Sequence, residues 1–80
     1  MIQVRYFAGA REATGIGAED LPGPTTTGRL RAALTARHGA GLGTVLPKCT
    51  FLVAGARVTS DETPVPDGAT VDVLPPFAGG

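Results

Sequence analysis

Two segments with alternating apolar and polar residues lie at opposite ends of this sequence, and they constrain the fold more than any other feature. Ile2, Val4 and Tyr6 alternate with polar residues near the start, and Val71 and Val73 do so near the end. A period of two is typical of strands that bury one face. Because 80 residues suffice for only one domain with a small core, we expect both strands in a single sheet. If they pair in parallel at its centre, their carboxyl ends meet.

The middle of the sequence predicts one main helix. Three apolar residues recur there at helical spacing, namely Leu30, Ala33 and Leu34. Thr25 or Thr26 can cap the start, Gly39 suits the C-terminal end, and three arginines should face outward (Arg29, Arg31 and Arg37). The glycine-rich stretch 39–43 follows a helix and lacks the Lys-Ser/Thr ending of a phosphate-binding loop. We interpret it as a flexible connection.

The remaining segments predict a helical turn and further strands. Residues 10–13 suit one helical turn, and residues 16–21 suit a weak second strand. The strand 49–53 and the strand 56–58 flank Ala54-Gly55, which favours a hairpin although Ala replaces the preferred Asn. With the closing strand, this order predicts an α+β fold in which one mixed sheet is covered on one face by the helix.

Composition argues against several classes of function. Seven basic residues balance seven acidic ones, so there is no basic field to hold a nucleic acid backbone. Cys49 is the only cysteine, which excludes an internal disulfide and favours a cytoplasmic location. His38 has no neighbouring cluster of cysteines or carboxylates, so we expect no metal site. No apolar stretch has the length of a membrane span.

The last six residues, 75–80, predict an extended tail after a folded domain of residues 1–74. Pro75 and Pro76 favour extended geometry. Gly79 and Gly80 lack side chains and suit a narrow channel in a partner. The last eight residues carry no charged side chain, so the terminal carboxylate is the only charge expected there. Disorder of an ordinary chain end is the alternative explanation.

Two large apolar residues stand at the ends of the first and last strands. Alternation assigns both Phe7 and Leu74 to the solvent side of the sheet. If the two strands pair in parallel, these side chains lie together at the base of the tail. An exposed apolar patch at that position would be a surface for docking a partner.

The sequence resembles the ubiquitin-like sulfur carriers with a β-grasp fold, a family that contains the small subunit of molybdopterin synthase and the sulfur carrier for thiamine synthesis. The resemblance spans essentially the whole chain. Its most specific parts are the opening 2–8, Ala10-Arg11-Glu12 with Gly15, the helical segment 30–34, Asp67-Gly68 and the ending Leu74-Pro75-Pro76-Phe77-Ala78-Gly79-Gly80.

That resemblance implies a reactive C-terminus. An activating enzyme of the ubiquitin-activating (E1-like) type would use ATP and Mg²⁺ to adenylate Gly80, and sulfur would then replace AMP to leave a thiocarboxylate. The chain would hold no permanent cofactor. The tail residues Gly79, Ala78, Phe77, Pro76 and Pro75 would thread into the large subunit of molybdopterin synthase.

The resemblance also implies an assembly. Phe7 and Leu74 would contact the large subunit in a heterotetramer, and that partner would supply the acid and base groups for sulfur transfer to cyclic pyranopterin monophosphate. Two other functions stay open at this point. One is sulfur transfer for thiamine or cysteine synthesis, and the other is modification of proteins through an isopeptide bond from Gly80 to a lysine.

Overall fold

The computed structural model describes residues 1–76 and contains one five-stranded sheet, a two-stranded sheet and three helices within that range. The strands are β1 (Ile2–Tyr6), β2 (Ala18–Leu21), β3 (Thr25–Thr26), β4 (Thr50–Val53), β5 (Ala56–Val58), β6 (Pro64–Val65) and β7 (Thr70–Leu74). The helices are α1 (Ala8–Thr14), α2 (Thr27–His38) and α3 (Ala40–Val45), and a 3-10 turn (Leu46–Lys48) leads from α3 towards β4.

The large sheet places the two ends of the chain side by side. Its strand order is β2-β1-β7-β4-β5, with β1 and β7 parallel and the other neighbours antiparallel. Strands β3 and β6 form the small second sheet. The α+β fold with a mixed sheet, predicted from the alternation and the helical stripe, is therefore confirmed, as is the parallel pairing of the first and last strands.

The core lies between one face of the large sheet and the helices. The strands contribute the inward residues of the alternation, and these are almost fully buried: Ile2, Val4, Tyr6, Phe51, Val53, Val71 and Val73. The helices contribute Leu30 and Leu34 from α2 and Leu42 from α3. Ala33, which the sequence assigned to the same stripe, is exposed, and the buried residues of α2 are Thr27, Leu30 and Leu34.

The glycine-rich stretch after α2 is not the flexible connection that we expected. Gly39 ends α2 with a positive φ of 80°, and the chain then continues directly into α3. Leu42 anchors α3 in the core with no exposed surface. A Cβ at Gly43 would lie 3.1 Å from the Cγ2 atom of Thr35, so glycine permits close contact between α2 and α3. Gly43 therefore serves the packing of α3 against α2, and Gly39 serves the turn between them.

The predicted hairpin between β4 and β5 is present, and its backbone angles show what the replacement of the preferred Asn by Ala costs. Ala54 and Gly55 both have positive φ, of 50° and 83°. This is the left-handed region required at both central residues of a type I′ turn, where Asn-Gly is preferred. Ala54 therefore adopts a backbone conformation that costs an L-residue with a Cβ roughly 1 kcal/mol.

Arg31 is not the outward-facing residue that the helical pattern predicted. Its guanidinium lies over the ring of Phe51, 4.5 Å from the ring centroid, and donates a hydrogen bond of 3.0 Å to the carbonyl of Leu46. Arg31 therefore joins α2 to the core and to the 3-10 turn.

Within residues 1–76, none of the helices combines the length and the apolar character needed to cross a membrane.

Candidate functional site

The carboxyl ends of β1 and β7 meet at one edge of the fold, where residues 75–80 begin. The last register pair between these strands is Tyr6 with Val73, so Phe7 and Leu74 are the next residues along each strand. The amide of Phe7 donates a hydrogen bond of 3.2 Å to the carbonyl of Val73. This bond extends the parallel pairing to the base of the tail.

Phe7 and Leu74 differ in exposure. The Phe7 side chain is 39% exposed, although it stands directly before α1 and its backbone carbonyl accepts hydrogen bonds from the first turn of that helix. Leu74 is only half-buried, so the expected exposed patch is centred on Phe7 and includes part of Leu74. The role of both residues in docking stays a prediction.

The tail residues divide between described and undescribed positions. Pro75 is half-buried and Pro76 is exposed, so the chain reaches the surface immediately after β7. Phe77, Ala78, Gly79 and Gly80, to which the sequence assigned the threading and the reactive carboxylate, lie outside the described residues. Their roles stay predictions.

An ion pair lies beside this apolar patch, on the face of the sheet opposite the core, which we call the open face. Arg5 of β1 donates two hydrogen bonds to the carboxylate of Asp72 on β7, at 2.6 and 2.9 Å. The hydrogen bond to Asp72 and its charge raise the pKa of the Arg5 guanidinium. The same guanidinium lies 5.9 Å from the centroid of the Phe7 ring. This bidentate contact links the neighbouring strands β1 and β7 and forms the polar border of the patch.

Sequence reasoning missed two further residues of this surface. Thr50 of β4 lies opposite Leu74, and Leu52 lies opposite Asp72. Both are half-buried and share the open face with their partners. The alternation of Leu52 with the buried Phe51 and Val53 was visible in the sequence, but only the antiparallel register shows that Leu52 borders the Arg5–Asp72 pair.

The described groups near the tail base offer binding contacts and little chemistry of their own. Burial raises the pKa of the Cys49 thiol, with Arg31 opposing this in part, and the thiol donates a hydrogen bond to the carbonyl of Val45. A protonated thiol is a poor nucleophile. Residues 1–76 contain no group of three or more His, Cys, Asp or Glu side chains placed to hold a metal ion.

A second polar cluster lies on the face of the sheet that packs against the helices. It includes His38, which the sequence had shown without neighbouring partners. The carboxylate of Glu19 on β2 accepts a hydrogen bond from the hydroxyl of Tyr6. It also contacts Nε2 of His38 and Nε of Arg37. The rings of Tyr6 and His38 meet edge to face, with centroids 5.7 Å apart. The cluster joins the end of α2 to β1 and β2.

The charges in this cluster determine its ionisation. Burial opposes ionisation of Glu19, but the hydrogen bonds from Tyr6 and His38, and the charges of His38 and Arg37, outweigh it and lower the pKa of the carboxyl. Burial first, and then the hydrogen bond and charge of Glu19, raise the pKa of the Tyr6 hydroxyl far above its ordinary range. Glu19 is therefore held as a carboxylate and Tyr6 as a neutral donor.

Comparisons with known proteins agree with this geometry. The model of the ThiS family matches residues 4–80. The molybdopterin synthase sulfur carrier subunit of Chlamydomonas reinhardtii is 34% identical to this chain over 82 residues, which cover 99% of this chain and 98% of that protein.

Two solved structures illustrate the likeness of fold. The complex of subunits 1 and 2 of molybdopterin-converting factor from Helicobacter pylori contains a chain that is 25% identical, with a TM-score of 0.72, covering 99% of this chain and 97% of that one. Small archaeal modifier protein 1 of Methanosarcina acetivorans is 24% identical, with a TM-score of 0.84, covering 99% and 95%. The latter supports the β-grasp fold alone.

Proposed function

Because this chain belongs to the ThiS family, we propose that it is the sulfur-carrying small subunit of a molybdopterin synthase and that its cargo is held as a thiocarboxylate on Gly80. The observation that carries the proposal is the full-length similarity to a protein named as such a sulfur carrier subunit. The position of the tail base supports it, since β7 ends at the edge where Phe7 is exposed and Pro76 lies at the surface.

The proposed chemistry starts from a poor electrophile. A carboxylate oxygen of Gly80 attacks the α-phosphate of Mg²⁺-bound ATP on an activating enzyme of the E1-like type, and pyrophosphate leaves. The acyl-adenylate then carries a good leaving group. Hydrosulfide from a donor attacks the carbonyl carbon, the bond to the adenylate oxygen breaks, AMP departs, and loss of the sulfur-bound proton to solvent leaves the thiocarboxylate. The chain thus supplies the acyl group, and the activating enzyme supplies the ATP site and the catalytic groups.

The proposed delivery depends on docking at the tail base. Phe7 offers the exposed apolar contact, and Leu74 is the next residue on the neighbouring strand. The bidentate Arg5–Asp72 pair links β1 to β7 beside them, and Leu52 lies opposite Asp72. A large subunit that covers this surface would receive residues 75–80 in its active site and supply the acid and base groups. We expect two small and two large subunits in the assembly, and a cytoplasmic location.

Intact-mass spectrometry tests the loading step directly. The purified chain is incubated with an E1-like activating enzyme, ATP, Mg²⁺ and a sulfur donor. We expect a product whose mass reflects one oxygen replaced by sulfur, and no such product when Gly80 is deleted or when one residue is added after Gly80. Gly41→Ala is the matched control, because a methyl group there meets no atom within 4 Å and leaves the tail unchanged.

Partner capture then separates molybdopterin synthesis from the other sulfur pathways. The loaded chain should bind a pterin-binding large subunit and transfer sulfur to its pyranopterin substrate. Preferential binding to a thiazole synthase or a cysteine synthase would reassign the pathway while leaving the carrier chemistry intact. Lysine-linked conjugates of the domain, with no thiocarboxylate formed, would contradict the sulfur-carrier function itself.

A further inference from the structure

Two residues other than glycine adopt a positive φ within residues 1–76, and one of them adjoins the proposed docking surface. Ala8 has a φ of 47°, and Ala54 has a φ of 50°. The left-handed region is narrow for a residue with a Cβ, because the Cβ approaches the following carbonyl oxygen. Ala54 belongs to the hairpin between β4 and β5, where the turn requires this conformation. Ala8 instead begins α1, directly after the exposed Phe7.

Glycine would adopt the φ of Ala8 without this steric cost, yet the nearest glycine stands one position later. Gly9 does not have a positive φ, and a Cβ at Gly9 would meet no atom within 4 Å. The chain thus keeps a Cβ at the one position of this turn where glycine would relieve strain. Strained backbone persists where the surrounding structure holds it, and it clusters at functional sites. The strain at Ala8 therefore points to a role in the neighbouring surface.

Hydrogen bonds fix the backbone of Phe7 on both sides. Its amide donates to the carbonyl of Val73 on β7, at 3.2 Å. Its carbonyl accepts from the amides of Ala10 and Arg11 in the first turn of α1, at 3.1 and 3.4 Å. Ala10 is fully buried and anchors that turn in the core. Phe7 is therefore the junction between the sheet and α1, and the chain changes direction at Ala8.

The narrow conformational range of Ala8 restricts this junction. A residue with a Cβ has one small left-handed well, whereas glycine populates positive and negative φ over a much wider range. Rotation at Ala8 moves the carbonyl of Phe7 relative to α1, so a narrow well at Ala8 keeps the hydrogen bonds to that carbonyl in place. The backbone that carries the Phe7 ring thus holds one orientation at the tail base, where the ring is 39% exposed and lies 5.9 Å from the Arg5 guanidinium.

We propose that Ala8 is a positioning residue for docking, whose left-handed backbone holds Phe7 in the orientation in which the large subunit receives it. This inference rests on the proposed function, which supplies the partner. A side chain that is already ordered loses less conformational entropy when a partner immobilises it, and ordering one side chain on binding lowers affinity by roughly threefold to tenfold. Ala8 thus contributes to affinity through Phe7.

Replacing Ala8 with glycine tests the positioning role, and the same replacement at Ala54 is the matched control. Both substitutions remove a Cβ from a residue with nearly the same φ. Ala54, however, lies at the opposite end of the sheet, where its amide bonds to the carbonyl of Thr70 at the start of β7. Relief of the left-handed conformation and the greater freedom of glycine in the unfolded chain oppose each other. Both variants should therefore melt within about 5 °C of the unmodified chain.

Calorimetry with the molybdopterin synthase large subunit of the same organism measures docking. Ala8→Gly should bind roughly threefold to tenfold more weakly, whereas Ala54→Gly should bind as the unmodified chain does. Ala8→Asn should restore most of the lost affinity, because Asn keeps a Cβ and tolerates the left-handed region. Equal affinity of Ala8→Gly and the unmodified chain, an equal loss in Ala54→Gly, or no recovery in Ala8→Asn would each overturn the proposal.

Amide hydrogen exchange tests the restraint on Phe7 without a partner. In Ala8→Gly, the amides of Ala10 and Arg11 should exchange at least about threefold faster, because they donate to the Phe7 carbonyl. The amide of Ala54 should exchange at an unchanged rate. Unchanged exchange at Ala10 and Arg11 would overturn the positioning role by itself. Failure of the unmodified chain to bind the large subunit would instead contradict the proposed function, and the exchange rates would still decide whether Ala8 restrains Phe7.

Discussion

Replacing Glu19 with glutamine should destabilise the fold in a manner that depends on pH. The Glu19 side chain is only 8% exposed and contacts Tyr6, His38 and Arg37. Glutamine keeps the shape and one acceptor oxygen, but it loses the negative charge that contacts His38 and Arg37. Hydrogen bonds to charged groups contribute about 1.5–3 kcal/mol each, and part of that remains with the amide. We therefore expect a loss of about 2–3 kcal/mol at pH 7.

That loss is large for a domain of this size. Such domains are stable by roughly 5–10 kcal/mol, and each kcal/mol corresponds to about 4–8 °C in Tm. Urea unfolding followed by circular dichroism should show a lower midpoint with an unchanged slope, and the melting temperature should fall by about 10 °C or more. Glu12→Gln in α1 is the control, because Glu12 is exposed and its loss should change the free energy of unfolding by less than about 0.5 kcal/mol.

The pH dependence gives the sharper test. The folded state lowers the pKa of Glu19, so the unfolded chain binds more protons and stability from this group rises with pH. Its contribution is fully present above the unfolded pKa of about 4.3 and is lost as the pH falls through the lower folded pKa. The difference between the two proteins should therefore be largest at neutral pH and shrink as the pH falls below the unfolded pKa of about 4.3. A difference that grows as the pH falls, or one below about 0.5 kcal/mol at pH 7, would refute this account of the cluster.

Three further substitutions test the turn, a helix contact and the docking surface. Ala54→Asn should raise the free energy of unfolding by about 0.5–1 kcal/mol in urea, because Asn tolerates the positive φ of a type I′ turn better than Ala; a loss of stability would contradict the strain assigned to that turn. Gly28→Ala should cost about 1–3 kcal/mol, since its Cβ would lie 2.9 Å from the backbone oxygen of Asp61, and an unchanged melting curve would show that this contact relaxes freely. Phe7→Ser should lower the free energy of unfolding by about 1–2 kcal/mol, because the side chain is 39% exposed and the rest is buried, but it should weaken calorimetric binding to a large subunit at least about tenfold; equal affinity would remove Phe7 from the docking surface.

Local patterns in the sequence were enough for the main elements. The alternation around Val4 and Val71 predicted β1 and β7, and the spacing of Leu30 and Leu34 predicted α2. These features succeed because side-chain periodicity, helix caps and turns depend on residues close together along the chain. The glycine content of residues 39–43 led to the wrong prediction of a flexible connection. The close contact between Gly43 and Thr35 depends on how α2 and α3 pack, which local sequence does not show.

The sequence by itself determined the fold class, the family and the diglycine ending, because periodicity and short motifs survive without knowledge of contacts. Only the tertiary structure decided which distant residues share a surface. It joined Arg5 to Asp72 and brought His38 to Glu19. Each of these contacts follows from strand register or helix placement, since a shift of one residue would turn the side chains of a strand to the opposite face.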